Sequence, residues 1–464
     1  MTLAALNHPL SPHPLRPAQL IAKYDGRAPR YTSYPTAVQF SDAVDARTYR
    51  SWLWNLPLDQ AVSLYLHIPF CSRLCWYCGC NTRGVTRHQP IADYVTLLVR
   101  EIGMLREALP ARMLASAVHF GGGTPNMLEP AELLAIFKAL DDTFERAPEA
   151  EIAAELDPAV LTREWVAAAT ALGLNRASLG VQNLDPRVQQ AVNRPETLDE
   201  IARCLGWLRD AGVASINLDL MYGLPHQTVE NTLTTLEGVL ALRPERLALF
   251  GYAHVPWMKT HQKLIHEAAL PGPAERLAQS EAAAEYLAGR GYVAIGLDHF
   301  ALPTDPLAVA AQDGRLHRNF QGYTTDGAAT LLGLGASAIG ALPQGFVQNA
   351  SQEMDWRAAV GRGELPIARG VSVTEEDRFR GEIIERLMCD LRVDLKTICA
   401  RHARPFGELW PERQRLVDFA LDGLIILENG VITITPAGQP LVRSVCAVFD
   451  RYLVPTAARH ARAI

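Results

Sequence analysis

Short runs of apolar residues and longer periodic stretches alternate along the chain from residue 61 onwards. The short runs predict β-strands, and the stretches in which apolar residues recur every three or four positions predict amphipathic helices. The predicted strands cover residues 61–68, 116–120, 151–156, 176–180, 215–220 and 247–252. The predicted helices cover residues 91–109, 130–143, 162–172, 198–211 and 228–242.

This order of elements predicts an α/β fold with a parallel sheet, because consecutive parallel strands need a crossover that a helix usually supplies. Polar or glycine-rich segments follow nearly every predicted strand. In (β/α) barrels the chemistry lies on the loops at that end of the strands. A barrel, open or closed, with at least six strands is therefore favoured over a Rossmann-type sheet.

The two ends of the chain differ from this central region. Residues 1–60 have little periodicity and predict an N-terminal arm, while residues 61–370 hold the barrel and a C-terminal extension. Residues 371–464 predict a smaller, mostly helical domain. Within it, apolar runs on both sides of Asn429 and Gly430 predict a hairpin with a type I′ turn, as in a winged-helix-like module. No basic stripe accompanies the hairpin, which favours a packing or lid role over DNA binding.

The arm is rich in aromatic residues and arginines between Tyr24 and Tyr34. Arginine grips carboxylates through two parallel hydrogen bonds, so this segment is a candidate anion-binding arm. Taken alone, however, the composition favours an extended segment that only packs on the surface.

Length and composition exclude several classes of protein. The 464 residues exceed one ordinary core, and a net charge of −6 gives no nucleic-acid footprint. No apolar run is long enough to span a bilayer, and the N-terminus lacks a secretory pattern. We therefore expect a cytoplasmic monomer without a membrane span or a nucleic-acid partner.

Four scattered cysteines are expected to be small buried hydrophobic residues: Cys204, Cys389, Cys399 and Cys446.

Four of the eight cysteines lie between Cys71 and Cys80, directly after the first predicted strand. Cys71, Cys75 and Cys78 form the pattern C-x₃-C-x₂-C. Thiolates this close together on one loop can converge on a soft metal centre. A 4Fe–4S cluster normally takes four cysteines, so three ligands leave one iron open to a small molecule. Spacing alone also leaves a zinc site and a loop without metal open, and the fourth cysteine, Cys80, keeps spacing from deciding which three bind.

The motif C-x₃-C-x-(aromatic)-C, with Tyr77 as the aromatic residue, resembles the signature of radical S-adenosylmethionine (radical SAM) enzymes. The wider sequence of residues 65–81 resembles that of the oxygen-independent coproporphyrinogen III oxidases, also called coproporphyrinogen dehydrogenases. This resemblance runs from about residue 24 to residue 452. It implies a partial six-stranded parallel (β/α) barrel. It also implies a 4Fe–4S cluster on the three signature cysteines, with the open iron bound by S-adenosylmethionine.

Further motifs match elements with which this family binds S-adenosylmethionine, although each residue taken singly is compatible with core packing or a polar surface. Residues 121–125 resemble the glycine-rich element that contacts the methionine amino group, and residues 154–158 resemble the ribose-binding element. Near the first S-adenosylmethionine the resemblance implies Tyr65 and Ile339. It also implies further S-adenosylmethionine-binding residues, which are Tyr77, Gly122, Gly123, Thr124 and Glu155. At a second S-adenosylmethionine site it implies Gln182, Arg194, Asp219 and Ala253.

The resemblance implies that two propionates of coproporphyrinogen III become vinyl groups, which gives protoporphyrinogen IX in porphyrin biosynthesis. A 5′-deoxyadenosyl radical from S-adenosylmethionine would take hydrogen from the propionate β-carbon, and carbon dioxide and one electron would then leave. The reaction needs an electron donor to the cluster and a final electron acceptor. Arg318, in the motif of residues 317–323, is a candidate propionate ligand, and Cys80 is a candidate functional thiol.

Three other functions remain alternatives. Two are relatives with the same barrel, a haem chaperone and a haem-processing methyltransferase. The third is a metal-binding regulator with zinc on the cysteines and DNA on the hairpin domain. The arm, the fourth cysteine and the motif of residues 317–323 favour the oxidase.

Overall fold

The predicted barrel is the centre of a larger sheet. The computed structural model describes residues 17–24, 26 and 28–453, and these residues include a twelve-stranded sheet. Across the sheet the strands, numbered in chain order, follow the order β12-β11-β10-β9-β1-β2-β3-β4-β5-β6-β8-β7. They are β1 (Val62–Ile68), β2 (Met113–Gly122), β3 (Phe144–Leu156), β4 (Arg176–Gln182), β5 (Ser215–Tyr222), β6 (Arg246–Gly251), β7 (Val293–Ile295), β8 (His299–Ala301), β9 (Thr330–Leu334), β10 (Ile339–Leu342), β11 (Gly345–Asn349) and β12 (Ile367–Ser372).

The six predicted strands are β1 to β6, and each is parallel to the next one in the chain. The prediction of a parallel (β/α) barrel of six strands is therefore confirmed. Strands β2 and β3 begin earlier than predicted, at Met113 and Phe144. The added part of β3 contains Pro148 and several charged residues, which interrupt the alternation that marks a strand in the sequence.

Helices follow the barrel strands as predicted, within a few residues at each end. Capping boxes fix two of the helix starts, at Thr197 with Glu200 and at Thr228 with Asn231. The helices of the barrel and its extension are Gln89–Ala108, Pro130–Thr143, Arg163–Ala171, Pro186–Ala191, Leu198–Asp210, Val229–Ala241, Pro273–Ala288, Pro306–Gln312 and Glu353–Arg362.

The extension adds strands to both edges of the six-stranded unit. Strand β9 is parallel to β1, and β10, β11 and β12 continue from it as antiparallel strands. At the other edge β8 and β7 are antiparallel additions next to β6. Because β9 lies beside β1, the chain after the barrel returns to the strand that carries the cysteine loop.

The C-terminal domain contains the predicted hairpin. Its strands are Ile425–Glu428 and Val431–Ile434, and the two turn residues have positive φ, 54° at Asn429 and 90° at Gly430. A type I′ turn requires positive φ at both positions, so the turn prediction is confirmed. A third strand, Arg392–Asp394, pairs with the hairpin and was not predicted. The helices of this domain are Glu375–Asp390, Leu395–Arg401, Trp410–Leu421 and Val442–Cys446.

The arm includes the helices Pro17–Tyr24 and Ala46–Trp54. Its first part packs against the C-terminal domain, whereas the second helix packs in the barrel core through Tyr49 and Leu53. Tyr31 and Tyr34 are buried in the same apolar cluster as Phe379 and Leu387 of that domain. Residues 1–16 of the predicted arm, together with 25 and 27, and residues 454–464 of the predicted C-terminal domain lie outside the described part of the chain. The four scattered cysteines, Cys204, Cys389, Cys399 and Cys446, are buried, as predicted. None of the described helices combines the length and apolar character needed to cross a membrane.

Candidate active site

The cysteine loop follows β1 directly and is closed at its base by two short parallel strands, Phe70–Cys71 and Arg83–Gly84. The three signature sulfurs share one feature: each lies within hydrogen-bond distance of an O–H or N–H group. The pairs are Thr82 Oγ1 with Cys71 Sγ (3.0 Å), Arg194 Nη1 with Cys75 Sγ (3.5 Å) and Cys80 N with Cys78 Sγ (3.4 Å). Hydrogen bonds to sulfur stabilise thiolates, and they also set the potentials of iron–sulfur clusters.

The donor set of this loop fits an iron–sulfur cluster. Cys71, Cys75 and Cys78 are free thiols on one loop and are soft ligands of the kind that clusters use. Within the described ranges no three His, Cys, Asp or Glu side chains are placed to hold one metal ion together. In a cluster the three cysteines bind three different iron atoms and need not meet at one point.

The glycine turn at the end of β2 lies against the cysteine loop. The N–H of Gly123 donates to the carbonyl of Ile68 over 2.8 Å. A Cβ at Gly123 would lie 2.6 Å from both the carbonyl oxygen of Phe70 and the hydroxyl of Thr82. Gly122 has a φ of 110°, and the next residue, Thr124, is buried. Glycine is therefore required here because the backbone of the turn touches the base of the cysteine loop.

Glu155, near the end of β3, is bound to the glycine turn. Its Oε2 accepts the N–H of Gly122 at 3.1 Å, and its Oε1 lies 3.2 Å from Nε2 of His119. Burial raises the pKa of Glu155, but the hydrogen bond and charge of His119 and the N–H of Gly122 outweigh burial and hold it below its ordinary value. Glu155 is therefore an ionised acceptor that is already aligned at the barrel mouth.

A cavity of about 280 Å³ inside the barrel brings together Glu155, Asp219, Cys80 and His119. Asp219 accepts hydrogen bonds from Ser178 at 2.8 Å and from Asn217 at 2.7 Å. Burial raises the pKa of Asp219 to about 6. Cys80 lines this cavity, whereas the three signature cysteines do not, and this separates its position from theirs.

Gln182 and Arg194 meet over Gly180, where β4 bulges. A Cβ at Gly180 would lie 2.9 Å from Nε2 of Gln182 and 3.1 Å from Nη2 of Arg194. Gln182 has a φ of 65°, a strained conformation of the kind that accumulates at functional sites. The guanidinium of Arg194 also pairs with Asp157 at 3.3 Å and with Glu196 at 3.0 Å. Arg194 therefore links the end of this strand to the sulfur of a signature cysteine.

His67 lies within the motif of residues 65–81 but is not among the predicted site residues. Burial lowers its pKa and keeps the ring neutral. Its Nε2 donates to the carbonyl of Asn81 at 2.8 Å, so its Nδ1 accepts the hydroxyl of Tyr65 at 3.0 Å. The spacing of two along β1 places both side chains on one face of the strand, which was a detectable signal. His67 connects the start of the cysteine loop to its end.

A second group, absent from the sequence predictions, lies in residues 255–266, which we call the clamp segment. Its side chains donate to three backbone carbonyls of the cysteine loop. These bonds are Gln262 Nε2 to Tyr77 O (3.0 Å), His261 Nε2 to Cys78 O (2.7 Å) and Lys259 Nζ to Cys80 O (2.8 Å). The clamp segment contains the 3₁₀ turn Thr260–Leu264 and has no apolar periodicity that marks it in the sequence.

A larger cavity, of about 460 Å³, lies between the barrel end, the arm and the C-terminal domain. Ala253 lines it, and so do four arginines, Arg30, Arg276, Arg318 and Arg443. Nε and Nη1 of Arg318 are buried without a hydrogen-bond partner among the described residues, and its guanidinium lies 4.4 Å from the ring centre of Tyr323. Burial, aided by the charges of Arg30 and Arg318, lowers the pKa of Arg443 to about 10. Two carboxylates, Glu281 and Asp298, also line the cavity, so the four arginines give it an excess of positive charge.

The predicted site residues thus fall into five places. Tyr65, Tyr77, Gly122, Gly123 and Thr124 lie in or against the cysteine loop. Gln182 and Arg194 form one pair, and Glu155 and Asp219 share the inner cavity. Ala253 lies in the larger cavity, and Ile339 begins β10, beside Gly333 of β9.

Comparison with known proteins gives one consistent result. The radical SAM superfamily model matches residues 65–238, and the HemN C-terminal domain model matches residues 373–441. The oxygen-independent coproporphyrinogen III oxidase of Bradyrhizobium diazoefficiens is 47% identical over 96% of this chain and 100% of that protein. The oxidase of the same description from Escherichia coli is 40% identical over 94% of this chain and 95% of that protein.

A solved structure agrees with these sequences. The structure described as coproporphyrinogen III oxidase (HemN) from Escherichia coli, a radical SAM enzyme, superposes with a TM-score of 0.88 and 37% identity. The superposition covers 91% of this chain and 98% of that chain. Membership of the radical SAM superfamily implies a 4Fe–4S cluster and S-adenosylmethionine. The chain belongs to the oxygen-independent coproporphyrinogen III oxidase family of radical SAM enzymes.

Proposed function

We propose that this protein is an oxidoreductase that converts coproporphyrinogen III to protoporphyrinogen IX without oxygen, in porphyrin and haem biosynthesis. The observation that carries the proposal is the cysteine loop of β1, with three hydrogen-bonded signature sulfurs set against the glycine turn of β2. The family membership supports the same reaction. The two curated relatives named above are oxygen-independent coproporphyrinogen III oxidases, and they align with this chain over nearly their whole length.

We assign the cluster to Cys71, Cys75 and Cys78. When bound, the cluster and S-adenosylmethionine supply a carbon radical that removes a hydrogen atom. The protein binds and orients S-adenosylmethionine. Gly122 lets the backbone approach the methionine group closely, and Glu155 presents an ionised carboxylate to the ribose hydroxyls. His67 and the clamp segment hold the loop in place from its two sides.

We assign a first S-adenosylmethionine to the glycine turn and Glu155, with Tyr65, Tyr77 and Ile339 around it. A second is assigned to Gln182 and Arg194, with Asp219 and Ala253 as more distant members. Support for the second site is the strained Gln182 and the arginine that reaches Cys75 Sγ. Equilibrium binding of S-adenosylmethionine to the reconstituted protein counts these sites. Two molecules per chain are expected, falling to one in Gln182→Ala.

We assign the substrate carboxylates to the arginine-lined cavity. Coproporphyrinogen III carries four propionates, and four arginines line this one cavity. Arginine binds carboxylate through two parallel hydrogen bonds, and unpaired buried N–H groups, as on Arg318, gain most from such a ligand. Cys80, which lines the inner cavity, is kept as a candidate functional thiol. We further propose a monomer that works with an electron donor and an electron acceptor.

An anaerobic turnover assay tests the function. Reconstituted protein, S-adenosylmethionine, dithionite, an electron acceptor and coproporphyrinogen III are incubated, and the oxidised porphyrins are separated by chromatography. Protoporphyrin should appear together with 5′-deoxyadenosine, and both should vanish in Cys75→Ser. S-adenosylmethionine cleavage without any vinyl product would instead indicate a haem chaperone or methyltransferase. A zinc-loaded protein without a cluster would contradict the enzyme assignment altogether.

A further inference from the structure

The clamp segment exposes apolar side chains next to the cysteine loop. Met258 is 66% exposed and Leu264 is 60% exposed, whereas Trp257, at 45% exposed, also lines the larger cavity. Their neighbours Lys259, His261 and Gln262 bind the loop carbonyls, as described above. The clamp segment therefore contacts the cysteine loop and also exposes apolar side chains to solvent. Exposed large apolar groups gathered in one short segment are typical of a protein-binding surface.

The charge of the clamp segment differs from that of the whole chain. The chain has a net charge of −6 and only five lysines. Two of these, Lys259 and Lys263, lie in the clamp segment with His261 and His266, and residues 255–266 include no Asp or Glu. The nearest acidic residue in sequence, Glu267, pairs with His254 at 3.0 Å. All charged side chains of the clamp segment are therefore basic, and Lys263, which does not bind the loop, is exposed beside Leu264.

We propose that the clamp segment is the docking surface for an acidic protein that donates single electrons to the cluster. This inference rests on the proposed function, since the reaction needs an electron for each cleavage of S-adenosylmethionine. One electron leaves the donor, which is oxidised, and enters the cluster, which is reduced; no bond forms or breaks in this step. The basic charge of the clamp segment favours an acidic partner, because attraction between opposite charges speeds association and like charges disfavour wrong partners.

The test uses the reconstituted holoenzyme and a reduced flavodoxin, a small acidic flavoprotein, as the probe. The variant Lys263→Glu/Leu264→Ser changes two exposed side chains that bind neither the loop nor a predicted ligand. The matched control is Leu134→Ser/Lys138→Glu, which changes an exposed leucine and lysine on the helix Pro130–Thr143. Two readouts are measured at low and high salt: the dissociation constant of the probe, and the rate of cluster reduction by stopped flow.

We expect the docking variant to bind the probe roughly tenfold more weakly and to be reduced roughly tenfold more slowly at low salt. The control should match the unaltered protein, and added salt should diminish the difference because it screens surface charge. Equal binding by the docking variant and the unaltered protein would overturn the proposal, and so would an equal loss in the control.

Dithionite separates this proposal from the function itself. Dithionite is small and needs no docking surface, so both variants should turn over normally with it. Failure of the unaltered protein with dithionite would refute the proposed function. Normal turnover with dithionite, combined with unchanged binding of flavodoxin by the docking variant, would refute the docking surface alone.

Discussion

Glycine positions around the cysteine loop differ sharply in the room they leave for a Cβ atom. Gly123 is enclosed, since its Cβ would lie 2.6 Å from the carbonyl of Phe70. Gly79 is open, with no heavy atom within 4 Å of a Cβ. Gly123→Ala must therefore displace the base of the loop, whereas Gly79→Ala has room. We expect Gly123→Ala to lose most of its cluster and Gly79→Ala to retain it, as measured by iron and sulfide content after reconstitution. Equal iron contents would contradict this account of the glycine turn.

Glu101 is another residue whose environment leads to a measurable effect. It is only 2% exposed and accepts hydrogen bonds from Gly335 N at 2.8 Å, Trp356 Nε1 at 2.9 Å and Asn349 Nδ2 at 2.7 Å. Burial raises the pKa of Glu101 to about 7 although these three bonds oppose the shift. The folded protein therefore holds a proton that the unfolded chain releases at lower pH.

The sign of the pH effect follows from the raised pKa. The contribution of Glu101 to stability is fully present below the unfolded value of about 4.5 and is lost as pH rises through about 7. The total change is about 3 kcal/mol, from a shift of roughly two to three units. Urea unfolding between pH 5 and pH 8 should show this slope, and Glu101→Gln should flatten it. An unchanged slope in Glu101→Gln would assign the pH dependence to other groups.

At the scale of elements, the clamp segment fixes a loop far from it in sequence. Gln262 is fully buried, and its side chain joins the carbonyls of Tyr77 and Ala253 to the N–H of Val255. Gln262→Ala leaves those groups unpaired at a cost of about 1–3 kcal/mol each. We expect the cysteine loop to loosen, so that a chelator removes iron faster from the variant.

A matched glutamine separates loop fixation from general stability. Gln279 is also buried, at 1% exposure, and bonds Gly223 and Gln227 without touching the cysteine loop. Gln279→Ala should lower the free energy of unfolding to a similar extent but leave the rate of iron loss unchanged. If both variants lose iron at the same rate, the clamp segment has no specific role in holding the loop.

The strands and the clamp segment show which elements the sequence could predict and which it could not. Strands β1 to β6 and their helices were predicted because each has a clear period of its own. The short strand β8 and the strands β9 to β12 gave little signal, because their partners are set by packing on the barrel edges. The clamp contacts join residues 179 to 185 positions apart, so no local pattern encodes them.

The predicted site follows the same division. The cysteines, the glycine turn and Glu155 come from short motifs, and the structure places them against one another. His67 could have been predicted from the sequence, because it shares a strand face with Tyr65. The contacts that align these groups follow from no local pattern: His119 was not predicted, and Arg194 was predicted for S-adenosylmethionine binding but not as a partner of Cys75. Local motifs name the reacting groups, and tertiary contacts determine their orientation.

For the whole molecule, the arginine-lined cavity depends on three separate parts of the chain. Arg30 comes from the arm, Arg318 from the extension of the barrel and Arg443 from the C-terminal domain. The arm is fixed to that domain by Tyr31, whose hydroxyl donates to Asp450 at 3.0 Å, and by Arg443, whose Nη1 donates to the carbonyl of Ala28 at 3.2 Å. The C-terminal domain therefore supplies charge to the cavity and positions the arm that supplies more.

This arrangement predicts how the C-terminal domain affects catalysis. A hydrogen bond to a charged group contributes about 1.5–3 kcal/mol, so Arg318→Gln and Arg443→Gln should each raise KM for coproporphyrinogen III roughly 10- to 100-fold. Cleavage of S-adenosylmethionine without substrate should persist, because neither arginine approaches the signature sulfurs among the contacts described. Arg415→Gln is the control, since Arg415 lies in the same domain and donates to the carbonyl of Val448 at 2.8 Å but does not line the cavity. A KM raised equally in Arg415→Gln would mean that domain stability, and not the cavity charge, governs substrate binding.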